Sequence, residues 1–66
     1  MVTDAHLYSR VRLLAHGAHH PAGAEGLLIE VDECRAIVEF PAEDHFLEIV
    51  LPSEVELIPG AGTQAA

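Results

Sequence analysis

Gly23-Ala24-Glu25-Gly26-Leu27-Leu28-Ile29-Glu30-Val31-Asp32-Glu33-Cys34-Arg35-Ala36-Ile37-Val38-Glu39-Phe40 reads as two β-type runs joined by a short acidic turn. Two glycines precede the first run, where a chain entering a strand needs a turn. The run places Leu27, Ile29 and Val31 on one side and Leu28, Glu30 and Asp32 on the other. Beyond the turn, Ala36, Val38 and Phe40 share a side, with Arg35, Ile37 and Glu39 opposite. This period of two is the mark of a strand. The turn at 32–35 has no Asn-Gly or Asp-Gly pair, so its register stays open at this point.

The pattern extends in both directions. Residues 7–14 alternate, with Leu7, Ser9, Val11 and Leu13 on one face. Residues 15–26 then break all periodicity with three glycines, a proline and three histidines, the expected content of a long exposed loop. Residues 41–45 form a turn rich in proline and acids, and residues 46–51 return to alternation. There Leu47, Ile49 and Leu51 are the expected inward set, with Phe46, Glu48 and Val50 outward. Pro52-Ser53-Glu54 suits one helical turn, because proline is at home in a first helical position. Residues 55–58 supply a last short strand. The expected fold is all-β: one domain over residues 7–59, with a loose start at 1–6 and a flexible tail at 60–66.

Five short strands, a long first loop and a helical turn before the last strand describe a five-stranded SH3-like barrel. The chain resembles a group of small bacterial domains of unknown function with that fold. The resemblance rests on Val11-Arg12-Leu13-Leu14, the Gly23 and Gly26 pair entering Leu27-Leu28-Ile29-Glu30-Val31, the run Ile37-Val38-Glu39-Phe40, and the segment from Leu51-Pro52 to Leu57. Where the group usually has a small β-former after the second glycine, this chain has Leu27. The resemblance implies a compact binding or accessory module, and it carries over no catalytic residues.

Charge narrows the function further. Eleven acids against three basic residues, all arginine, give a net charge of −8. That balance repels phosphate backbones, and the three aromatic rings are too few for a base-stacking platform, so a nucleic-acid partner is not expected. No run approaches the ~20 apolar residues of a membrane span, and the N-terminus lacks a basic-then-apolar leader, so the expected location is cytoplasmic. The single cysteine, Cys34, has no partner for an internal disulfide. It stands among acids, a setting that does not single it out as a nucleophile.

Three readings of chemistry remain. Ser9, Ser53, Glu39 and Glu48 form no recognisable catalytic constellation, so the chain is read as noncatalytic and without cofactor. Half the residues are apolar, more than one small interior takes up. Leu28, Ile37, Phe46 and Val50, on nominally outward faces, are therefore the candidate contacts for a basic protein partner or a second copy. The alternative is a small metal-binding accessory protein, in which His16, His19 and His20 converge on an ion, completed by Glu25 or His45.

Overall fold

The computed structural model describes residues 2–41 and 46–59; the expected turn residues Ala42 to His45 and the expected tail at 60–66 lie outside the described residues. Five strands form one antiparallel sheet: β1 (Arg10–Leu13), β2 (Glu25–Val31), β3 (Ala36–Glu39), β4 (Leu47–Val50) and β5 (Val55–Leu57), in the spatial order β4-β3-β2-β1-β5. A 3-10 turn, Pro52–Glu54, leads into β5 as expected. Glu54 closes that turn twice, donating its N–H to the Leu51 carbonyl at 2.9 Å and accepting the Leu51 N–H on Oε1 at 3.2 Å. Among the described residues β4 and β5 are the two edges, and the sheet does not close into a barrel.

The hairpin turn between β2 and β3 is held by one side chain. Asp32 Oδ1 accepts the N–H of Cys34 at 2.7 Å and of Arg35 at 2.9 Å, while the Asp32 N–H donates to the Arg35 carbonyl. An aspartate anchoring the backbone two and three residues on does the work that an Asn-Gly pair does elsewhere. These amide donors, from Cys34 first and Arg35 second, hold the Asp32 carboxyl below its usual range.

The interior contains Val11, Leu13, Ala36, Val38, Phe40 and Val55, all expected there, together with Leu28, Val50 and Val2. β4 and the first part of β2 face opposite to expectation, while Val31 packs against the core as expected. In β2, Leu28 is fully buried, and Leu27 and Ile29 are only half-buried. A bulge between Leu28 and Glu30 changes the parity, so that Leu28 opposite Val38 and Val31 opposite Ala36 fall on the inner side. Gly26 permits this close packing, since a Cβ there would lie 2.5 Å from the Glu39 carbonyl oxygen. In β4, Glu48 and Val50 point inward, while Leu47, Ile49 and Leu51 are exposed. Leu28 and Val50 therefore cannot be outward contacts for a partner.

The start of the chain also contributes to the core. Asp4–His6 forms a 3-10 turn capped by Thr3, and Val2 is buried in the core. Tyr8 follows with φ 67°, a left-handed conformation uncommon for a large side chain, and donates its N–H to the Leu28 carbonyl at 2.6 Å.

Candidate interaction face and the carboxylate beneath it

The inverted β4 raises a question of energy: why bury Glu48 and expose three large aliphatic side chains beside it? Glu48 is 2% exposed. An unpaired carboxylate at that depth would cost several kcal/mol. The loop between β1 and β2 supplies the answer. Oε1 accepts the Ala18 N–H at 2.9 Å, and Oε2 accepts the His19 N–H at 2.6 Å and the Nδ1 proton of His20 at 2.7 Å. A Gly17 N–H to His20 carbonyl bond of 2.8 Å closes the turn that aims these donors. Gly17 must be glycine for the carboxylate to fit, because a Cβ there would collide with it. The His20 ring, 8% exposed, stacks on Phe40 with centroids 3.9 Å apart and an angle of 11°.

Desolvation pulls the Glu48 carboxyl upward, but the bonds from His20, His19 and Ala18 together outweigh it, and the group is held below its usual range. The expected long exposed loop is thus a strap over the inner face at the β3–β4 end. No buried side-chain nitrogen or oxygen among the described residues lacks a partner.

That arrangement decides the metal alternative's geometry. His16 and His19 lie at the surface, whereas His20 is buried with its Nδ1 committed to Glu48. Glu25 pairs with Arg10 at 3.0 Å, and His45 lies outside the described residues. Among the described residues no group of three or more His, Cys, Asp or Glu side chains is placed to hold an ion.

Turning Glu48 inward turns its neighbours outward. Cross-strand register sets Leu27, Glu39 and Leu47 in one outer row and Glu30, Ile37 and Ile49 in the next. Leu51 continues the strip. Of the contacts expected from sequence, Ile37 lies on this side, whereas Phe46, exposed but paired with buried Phe40, has the parity of the opposite side; Leu47, Ile49 and Leu51 were missed, having been assigned to the core. Each arginine sits against a carboxylate: Arg10 with Glu25, Arg12 with Glu56 at 2.7 Å, and Arg35 with Glu30 at 4.0 Å. The face therefore combines aliphatic side chains with acids and no unmatched cation.

A second surface feature is an open cleft of about 690 Å³ between Asp4, the Asp32–Cys34 turn and Pro52. It gathers acids and the exposed Cys34 thiol without a base to activate either. No described helix is long and apolar enough to cross a membrane. Comparison with family models, curated proteins and solved structures gave no match to this chain.

Proposed function

We propose that the chain is a noncatalytic docking module that binds a basic protein partner on the outer face of β2, β3 and β4. The observation that carries this reading is the strip of Leu47, Ile49 and Leu51, exposed together along a segment that could have buried them. Monomeric proteins seldom leave adjoining large aliphatic side chains uncovered unless something covers them in use. Half-buried Ile37 and Leu27 extend the strip across the sheet, and Glu30 and Glu39 stand between them. On such a face the aliphatic groups supply affinity by losing water, and the acids select and steer a cationic partner.

The scaffold is read as SH3-like. The strand order β4-β3-β2-β1-β5 and the 3-10 turn ahead of β5 support that reading. Among the described residues the open β4 edge separates it from a closed barrel, and the loop between β1 and β2 straps over Glu48.

The test compares immobilised wild type with Leu47→Ser/Ile49→Ser and Glu39→Lys variants, in extract of the native host at low and high salt. The expected result is a basic protein retained by wild type, released by salt and lost on both variants. The same proteins on all three surfaces would refute the reading.

A further inference from the structure

β4 has a neighbour on one side only among the described residues. Its free backbone groups can be assigned. The Phe40 N–H donates to the Phe46 carbonyl at 2.7 Å, which makes 40 and 46 a hydrogen-bonded pair. Such pairs alternate with non-bonded pairs along an antiparallel ladder. Glu48 and Val50 therefore turn their amides and carbonyls toward β3, and Leu47 and Ile49 turn theirs toward the free edge. Leu51 is already engaged by Glu54 on both groups.

Natural edges are commonly guarded by lysine, by proline or by a charge pointing inward, which would be stranded if another strand were added. This chain contains no lysine, and no proline interrupts 46–51. Its inward charge, Glu48, is already stripped of water and holds three donors from its own loop. Adding a strand removes no further water from it, so that guard is spent.

We infer that β4 pairs antiparallel with β4 of a second copy of this chain, Leu47 and Ile49 of each exchanging backbone hydrogen bonds with Ile49 and Leu47 of the other. Local charge leaves room for a second copy as the occupant. Two chains of net charge −8 repel wherever their acids meet, yet residues 46–51 present no exposed carboxylate. The strip is complementary to itself about a two-fold axis, aliphatic against aliphatic. Glu39 of one copy and Glu39 of the other would stand three strand spacings apart, about 14 Å. That exceeds the ~8 Å screening length at physiological salt.

Area sets the strength. Leu47, Ile49 and Leu51 are 40%, 61% and 55% exposed. With roughly 200 Å² for a fully exposed large side chain, they present on the order of 300 Å² per copy. Complete burial would hide on the order of 600 Å² in all, short of the ~1,200 Å² of standard stable complexes. The pair is therefore reversible and depends on concentration. It goes beyond the docking reading, because it lays two outer faces side by side on one continuous sheet.

Sedimentation velocity from low micromolar to near-millimolar concentration tests it, together with amide exchange over the same range. Expected are a monomer–dimer equilibrium that tightens with added salt, protection of the Leu47 and Ile49 amides that rises with concentration, and a roughly tenfold or greater weakening in Leu47→Lys and Ile49→Lys. Both substituted side chains are exposed, so the variants retain the fold, which circular dichroism confirms. A monomer throughout the range, a dimer unchanged in the lysine variants, or protection of those two amides independent of concentration overturns the inference. Docking of a basic partner weakens with salt, the opposite sign. A monomer that still captures such a partner refutes the pairing alone, and a dimer that captures none refutes the docking alone.

Discussion

Replacing Glu48 by glutamine removes one charge, keeps the side chain's shape and asks how much the strap depends on a carboxylate. In the native fold both oxygens accept, one from the Ala18 N–H and the other from the His19 N–H and His20 Nδ1. A glutamine can keep its oxygen toward His19 and His20, but its amide nitrogen then confronts the Ala18 N–H, donor against donor. An unsatisfied buried donor costs about 1–3 kcal/mol, and bonds that lose their ionised acceptor weaken by roughly half. The expected loss for Glu48→Gln is about 2–3 kcal/mol, a large share of the roughly 3–10 kcal/mol available to a chain of this size. Glu48→Ala frees all three donors and opens a cavity, and is expected to cost about 3–5 kcal/mol.

Urea unfolding gives the equilibrium values, and melting should fall by roughly 10–20 °C for the glutamine variant. The pH dependence supplies a second reading of the same bond. The folded-state carboxyl titrates below its usual value, so its stabilisation is fully present above the ordinary carboxylate range near ~4.3 and is lost as pH falls through the lowered folded value. The gap between wild type and Glu48→Gln should therefore narrow as pH falls below that range. Asp32 shifts in the same direction, so the difference between the two proteins, and not the acid sensitivity of either, isolates Glu48. A glutamine variant within about 0.5 kcal/mol of wild type, the range of an ordinary surface substitution, would refute the claim that this carboxylate holds the loop.

Other expectations follow from the same geometry. Gly17→Ala forces a methyl group against the Glu48 carboxylate and should cost about 1–3 kcal/mol in urea unfolding, much less in a Glu48→Ala background, so a double-mutant cycle should show coupling. Tyr8→Gly relieves the left-handed backbone at an exposed position and should stabilise by up to about 1 kcal/mol, seen as a rise in melting temperature. Asp32→Ala removes the acceptor of the Cys34 and Arg35 amides; their exchange should accelerate while the urea midpoint falls less than for Glu48→Gln.

Where local pattern and tertiary structure agreed, strand and face were both legible. Val11 and Val55 stand between charged neighbours, and Ala36, Val38 and Phe40 share a parity against Arg35, Ile37 and Glu39, which favours one inner side. Leu27-Leu28-Ile29 offers three successive large apolar residues, so either parity satisfies hydrophobicity. The bulge and the close approach at Gly26 chose Leu28, and no periodicity announces a bulge. β4 failed for a different reason. Hydrophobicity alone puts Leu47 and Ile49 inside, and a glutamate replaces them only because donors 28 to 30 positions earlier satisfy it. Those donors are mostly backbone amides, which leave little trace in a sequence. Gly17 and the buried His20 were the visible signs, and they read more simply as part of a solvated histidine loop. The same missed inversion hid the candidate face, since its best residues had been counted in the core.

A two-dimensional nuclear Overhauser spectrum tests the orientation of β4, on which both the strap and the docking face depend. The fold described here requires contacts among the His20 ring, the Phe40 ring and the Glu48 methylenes, with the Ile49 methyls silent toward Val11 and Leu13. Ile49 in contact with Val11 and Leu13, and a Glu48 side chain without any contact to His20, would contradict it.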